Sequence, residues 1–248
     1  MSEQFDTLFD CFVISLKRTP ERLHAFRTRN SNCGIDFRYF EAIDGTQIDA
    51  SEIENRLVAK NATGYKPGII GNAKSHLTLW QQCAEQTKPF VVLEDDAVVR
   101  NDITDTLIAT TAQWREWDII LLGYNTDTPL ELNIAPGILF GGGFSVKYPS
   151  SKQLSDFATS TNPVGLHRLH LAMGICGYVI SPSGAQILMR SCFPMDNRSV
   201  QYSSLNYRFP AYGLDCIMAT VYPKIHAYAC VAPLVMTTND HSISTVQK

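Results

Sequence analysis

The sequence predicts an α/β fold in which a mostly parallel central sheet carries helices on both faces. Two observations support this. Apolar runs of strand length alternate with amphipathic stretches of helical period through the first half of the chain, the order that builds β-α-β units. The run Phe90-Val91-Val92-Leu93 is apolar on both faces, as a strand covered on each side must be, and it meets Glu94, Asp95 and Asp96 with no turn residue between. At 248 residues, 45% hydrophobic and 18% charged, the composition is that of one globular unit with a large core, so a single domain over 1–248 is expected.

Taken in order, residues 11–16 (C-F-V-I-S-L) read as a buried strand, and Pro20 opens a helix to about residue 29, proline being favoured in a first turn. Residues 37–42 form a second strand that ends at Asp44-Gly45, a turn pair whose glycine permits positive φ or close backbone approach. A short helix is expected over 50–56. Over 68–84, Ile70, Ala73, Leu77, Trp80 and Cys83 recur at three- and four-residue spacing, the stripe of a helix packed on a sheet. The acidic strand follows, then a helix over 103–114 and a strand over 118–122.

Residues 123–171 are rich in Pro, Gly, Ser and Asn and are read as irregular apart from short apolar pieces such as 138–144. So long a stretch inside a compact domain is expected to be functional. Beyond it come a strand over 174–180, a helix over 183–189 capped by Ser183, a second irregular stretch over 193–210, a helix within 212–221, a strand over 224–231 and a polar tail from 237.

Bulk properties narrow the function. A formal net charge of -3 argues against nucleic acid as the main ligand, because phosphate-backbone binding leaves a basic footprint. The first residues, M-S-E-Q-F-D, lack the basic start of a signal peptide, and no run approaches the roughly 18 apolar residues of a membrane span, so membrane contact is expected to be peripheral. Seven cysteines without a C-x-x-C pair read as reduced core thiols of a cytoplasmic protein.

Candidate chemistry collects where the strands end. Three adjacent carboxylates cannot share a dry interior without a cation or bound protons, so a divalent metal at the carboxyl end of the strand is the expected resolution, and an acidic surface turn the ordinary one. Ser15, Arg18 and Arg22 make an anion and base pocket when taken together; singly they are a capping hydroxyl and solvated helix charges. Ser75 and His76 sit on the helix leading to the acidic strand, where a lone histidine is more often a satisfied core residue. Asp215, in Y-G-L-D-C-I-M-A, is a lone acid among apolar residues, where a carboxylate without a task is costly.

Four blocks then occur in register: C-F-V-I-S-L-K-R-T-P-E-R, F-R-Y-F-E-A-I-D-G, G-I-I-G-N-A-K-S-H-L-T-L-W and V-V-L-E-D-D-A-V-V. Together they resemble glycosyltransferase family 25, which includes bacterial lipopolysaccharide and lipooligosaccharide transferases and collagen galactosyltransferases. The similarity extends through D-I-I-L-L-G, G-Y-V-I-S-P-S-G-A and Y-G-L-D. The resemblance implies a GT-A-like fold, with a nucleotide-sugar half over about 1–125 and an acceptor half over about 126–248. It implies metal-assisted, inverting transfer of a hexose, galactose first and glucose second, from a UDP-sugar to a hydroxyl of a lipid-linked oligosaccharide at the inner face of the cytoplasmic membrane.

Residue by residue, the resemblance places Ser15, Arg18, Arg22, Asp44 and Gly45 at the nucleotide, with Ser75, His76 and Glu94 beside it. Asp96 and Asp95 would hold Mn²⁺ or Mg²⁺. Asp215 is the candidate base and Asp95 its reserve. The third block usually begins G-E-I-G-C, whereas this chain has Gly68-Ile69-Ile70-Gly71-Asn72, which removes an acid. Asp240, His241 and His226 in the tail follow no clear ligand motif.

Acceptor selection, and a lid that orders over the donor, are expected in 123–171 and 193–210, where Tyr124, Phe144, Tyr148, Tyr202 and Tyr207 are candidates for stacking on sugars. Two other classes fit the same carboxylates: a metal-dependent phosphoesterase, which would release hexose 1-phosphate or inorganic phosphate, and a nucleotide-sugar-binding protein without turnover.

Overall fold

The computed structural model describes residues 2–112 and 116–238, and for Ser2 and Glu3 the backbone alone. In chain order the elements are α1 (Ser2–Leu8), β1 (Asp10–Ser15), α2 (Pro20–Arg29), β2 (Arg38–Glu41), α3 (Ala50–Glu52), α4 (Pro67–Ala84), β3 (Phe90–Glu94), β4 (Val98–Val99) and α5 (Ile103–Ala112). There follow β5 (Ile119–Gly123), β6 (Leu130–Ala135), β7 (Ile138–Gly142), α6 (Ser151–Ala158), β8 (Gly165–Leu171), β9 (Gly177–Ile180) and α7 (Pro182–Cys192). The chain continues through β10 (Ser199–Tyr202), β11 (Tyr207–Pro210), α8 (Leu214–Ala219), β12 (Ala227–Val231) and β13 (Val235–Met236).

Nine strands form one mixed sheet in the order β2-β1-β3-β9-β5-β12-β8-β6-β7. Only β2/β1, β1/β3 and β5/β12 pair in parallel; β9 lies antiparallel between β3 and β5, and β8, β6 and β7 close the far side as antiparallel neighbours. This corrects the mostly parallel expectation. A four-residue strand buried on both faces, as β9 is, carries no residue pattern that reports its direction.

Helices do cover both faces. Trp80 of α4, Leu188 of α7 and Ile217 of α8 pack with Val92, Leu121 and Tyr178 on one side. Phe5 of α1, Phe26 of α2 and Leu107 of α5 pack with Val91, Leu93 and Ile120 on the other. All seven cysteines are buried and unpaired, as their spacing suggested. No helix among the described residues is long and apolar enough to cross a membrane.

The expected helix α2 forms over the residues assigned to it, and α4 begins one residue earlier than expected, at Pro67. Of the helix expected over 103–114, residues 113 and 114 lie outside the described residues, as does most of the polar tail. Helix α7 is capped by Ser181, which accepts from the Gly184 N–H, and not by Ser183; Pro182 fills the first turn. Neither stretch read as irregular is so: 123–171 holds β6, β7, α6 and β8, and 193–210 holds the β10–β11 hairpin.

Candidate functional site

The carboxyl ends of β1, β3 and β5 border a cleft of about 820 Å³. Because β9 runs against β3 and β5, its entry segment Gly174-Ile175-Cys176 arrives at this same edge, and Gly213 to Asp215 at the start of α8 complete the opposite wall. Ten of the eleven predicted site residues line this one cleft: Ser15, Arg18, Arg22, Asp44, Gly45, Ser75, Glu94, Asp95, Asp96 and Asp215.

The eleventh, His76, does not reach it. Its side chain is fully buried, with Nδ1 2.8 Å from the Tyr178 hydroxyl and Nε2 3.7 Å from Glu94 Oε1. Trp80 Nε1 donates to that same hydroxyl at 2.9 Å, so the tyrosine proton is available to His76 Nδ1 and the tautomer that follows carries its proton on Nε2, toward Glu94. His76 is a core residue tied to Tyr178, but not the fully satisfied one expected, because its buried Nε2 has no hydrogen-bond partner among the described residues.

The three adjacent carboxylates have three different environments. Asp95, 6% exposed, accepts from Ser15 Oγ at 2.6 Å and from the Arg22 guanidinium, whose Nε lies at 2.8 Å and whose terminal nitrogen is also bonded. Asp95 is thus held in a buried ion pair, with Oδ1 taken up by Arg22 and one lone pair of Oδ2 left beside Ser15. Arg29 donates to the Asp95 and Asp96 carbonyls at 3.2 Å each, and Asn30 ties the Ala97 carbonyl and the Val99 N–H, so one end of α2 shapes the acidic turn.

Glu94 accepts from Asn72 Nδ2 at 2.8 Å. Burial pushes its carboxyl up, but His76, Asn72 and Arg22 outweigh burial and hold it below the ordinary carboxylate value. Asn72 escaped notice in the sequence except as a departure from a motif. It precedes His76 by one helical turn, so both reach the end of β3 from the same face of α4.

Asp96 is the carboxylate left over. It lies beside Thr237, and its Oδ1 is buried with no hydrogen-bond partner among the described residues. Burial first, then the charges of Glu94 and Asp95, push its carboxyl from 3.8 to about 6, with Arg22 opposing. A buried oxygen without a partner, repelled by neighbouring acids, is a position that would fit a divalent cation. Among the described residues no three His, Cys, Asp or Glu side chains converge as a complete protein ligand set. Asp240 and His241 lie outside the described residues, and His226 does not line the cleft.

The folded pKa of Asp96 lies above the unfolded one, so the folded state retains a proton that the unfolded chain releases. That stabilisation is complete below about 3.8 and is lost as pH rises through about 6. In EDTA, Asp96→Asn is therefore expected to unfold at higher urea than wild type at pH 7.5, by about 1–3 kcal/mol, with the difference vanishing near pH 4. Equal midpoints at both pH values would show Asp96 to be solvated.

The wall formed by Asp44 and Gly45 rests on close backbone contact. Asp44 caps the turn Gly45–Gln47 by accepting from Thr46 N at 3.1 Å and Thr46 Oγ1 at 2.8 Å, and Arg18 Nε reaches it at 2.8 Å. The Thr46 bonds, with Arg18 adding to them, hold Asp44 below the ordinary value. Of the two uses foreseen for Gly45, close approach is the real one: a Cβ there would lie 1.7 Å from the Pro67 carbonyl oxygen. Ser75 Oγ donates to Gly71 O at 2.7 Å and accepts from Ile43 N at 2.8 Å, which pins α4 to this turn.

Across the cleft, Asp215 accepts from Gly174 N at 3.0 Å and from Cys216 N at 2.8 Å. Gly174 takes φ +82°, and a Cβ there would lie 2.2 Å from Asn125 Oδ1. Asn125, Asp127 and Thr128 line this wall beyond the predicted set. Of the loop aromatics, Tyr124 is a buried core anchor whose hydroxyl donates to Cys230 O, so it is not free to stack on a sugar, and the half-buried Phe144 packs against its ring.

Most of the residues that line the cleft fall within a segment of recognisable ancestry. Residues 9–198 match the model of glycosyltransferase family 25, described as LPS biosynthesis proteins, and the chain belongs to that family. Asp215 lies past the matched residues. The chain is 26% identical over 178 residues to "Putative glycosyltransferase R655" of Acanthamoeba polyphaga mimivirus, covering 70% of this chain and 50% of that protein. It is 29% identical over 109 residues to the lipooligosaccharide biosynthesis protein lic2B of Haemophilus influenzae, covering 42% and 39%. It is 27% identical over 150 residues to the inactive glycosyltransferase 25 family member 3 of Homo sapiens, covering 54% and 25%. The chain thus spans half or less of the length of these relatives.

Proposed function

We propose that the cleft binds a UDP-hexose, with galactose the favoured sugar and glucose the second, and transfers the hexose with inversion to a sugar hydroxyl of a lipooligosaccharide or lipopolysaccharide acceptor. The observation that carries this reading is the presence, in one cleft of nucleotide-sugar size, of Asp96, whose buried Oδ1 has no hydrogen-bond partner among the described residues, and of a second carboxylate, Asp215. Family membership supports the transferase class, and the name of the H. influenzae relative supports the acceptor class.

In this reading the turn at Asp44, Gly45 and Thr46, with Arg18, receives the nucleotide. Asp96 would hold Mn²⁺ or Mg²⁺, which when bound neutralises the charge of the departing diphosphate. Asp215 takes the proton of the acceptor hydroxyl as its oxygen bonds to the anomeric carbon and the bond to UDP breaks. A GT-A-like division, with donor residues before about 125 and acceptor residues after it, accommodates both walls.

A binding protein without turnover is the second reading, favoured by the relative named inactive and by the commitment of Asp95 to Arg22. The deciding experiment measures UDP released from a panel of UDP-sugars, with Mn²⁺ or with EDTA, by wild type and Asp96→Ala. Metal-dependent release from one donor, lowered at least about 10²-fold by the substitution, is the expected result. UDP bound tightly with no release, whatever acceptor is added, establishes the second reading.

A further inference from the structure

A buried acid outside the cleft fastens the β10–β11 hairpin to the sheet. Glu131 on β6 is fully buried and accepts from Ser203 N at 3.2 Å, Ser204 N at 2.6 Å and Ser204 Oγ at 2.5 Å, with His170 Nε2 3.9 Å away. A carboxylate in that position is tolerable only with such donors, and all three come from the hairpin turn. Gly141 on β7 lets the turn approach: a Cβ there would lie 2.2 Å from Ser204 Oγ.

What the hairpin presents is a row of rings. Phe209 lies 5.7 Å from Tyr202, 5.8 Å from Tyr207 and 6.0 Å from Tyr212, centroid to centroid. Tyr202 is buried beneath, whereas Tyr207 and Tyr212 are 57% and 58% exposed. Tyr212 also lines the cleft, its hydroxyl against the Cys216 thiol and so next to Asp215. The row therefore leads outward from the mouth of the cleft on a support made rigid by a buried anchor. Exposed aromatic rings held in this way mark a binding surface, and rings with polar tips suit the apolar faces and hydroxyl edges of pyranoses.

We propose that Tyr212, Phe209 and Tyr207 form an acceptor subsite that stacks successive sugar rings of an oligosaccharide, the terminal sugar lying at Tyr212 beside Asp215, with Glu131 the residue that positions the hairpin. This rests on the transferase reading. Continuity with the cleft favours a glycan over a lipid surface as the occupant.

The test measures binding of labelled protein to a printed panel of glycans of two to six sugars, with the UDP Kd measured in parallel. Wild type is expected to retain one terminal-sugar class more strongly as chain length increases. Tyr212→Ala should weaken every length about tenfold, and Tyr207→Ala the longer glycans alone, with UDP affinity unchanged. Glu131→Gln should mimic Tyr207→Ala, raising the acceptor KM without altering the donor KM. Glycan binding indifferent to both tyrosines, or no glycan retained by a protein that binds UDP, overturns the subsite. Loss of binding to anionic vesicles in Tyr207→Ala, with glycan binding intact, assigns the row to a membrane instead. Failure of wild type to bind UDP at all is the separate outcome that defeats the transferase reading.

Discussion

Replacing Arg22 by alanine is expected to lower the free energy of unfolding by about 3–5 kcal/mol, because it strands a buried charge. Asp95 is 6% exposed, and Arg22 is the only cation bonded to its carboxylate among the described hydrogen bonds and ion pairs; Ser15 donates the other bond. Burial works against the Arg22 charge, but the bond to Asp95 and the field of the three acids outweigh it and raise the guanidinium above its ordinary value. Urea unfolding at pH 7.5 reads the loss. Removing both charges as Arg22→Met with Asp95→Leu should recover most of it, since the penalty belongs to the unpaired ion and not to the absence of the pair. A cost below about 1 kcal/mol for Arg22→Ala would show that water reaches Asp95 and that the pair is an ordinary surface one. The double variant should still lose activity, because the turn that presents Asp96 would have lost one of its two arginine contacts.

That pair also shows where sequence reasoning stops. The apolar run ending in three acids located the cleft, because a covered strand that runs into carboxylates has few physical interpretations. It did not divide the labour among them. Asp95 is claimed by residues 80 and 73 positions away, and Glu94 by Asn72, 22 positions away, so the assignment exists only once the sheet has placed β1 beside β3 and α4 above it. The helices with clean stripes and proline starts, α2 and α4, were legible for the opposite reason: their signals are local.

The two stretches mistaken for loops failed on the same distinction. In β6 the residues Leu130, Glu131 and Leu132 are all buried, and an acid in that run is explicable only through the hairpin turn at Ser203 and Ser204, more than 70 positions later. The first strand of the hairpin alternates buried and outward residues across Val200-Gln201-Tyr202, whereas Tyr207 and Arg208 of the second are both exposed, with Asn206 in the left-handed region at the turn. The flanking Asn, Ser and Pro residues concealed that short pattern.

Asp215→Asn is expected to lower turnover by about 10²–10⁴-fold while leaving UDP affinity unchanged, the span that general-base assistance commonly covers. An asparagine oxygen can still accept the Gly174 N–H at 3.0 Å, but its NH2 then faces the Cys216 N–H, so urea unfolding of the variant is measured beside its turnover. The Asp215 oxygens accept two backbone N–H groups and the Cys216 thiol, and the lone pair that remains is the one that would take a proton from an acceptor hydroxyl. Asp127 lines the same wall and supplies the control. If Asp127→Asn abolishes transfer while Asp215→Asn retains near wild-type turnover, the base is Asp127 and Asp215 is a structural acceptor that holds Gly174 in its left-handed turn. If Asp215→Asn alone is silent and still binds UDP, the proton leaves on the wall facing Asp96, and the two carboxylates divide the reaction between departing diphosphate and incoming hydroxyl.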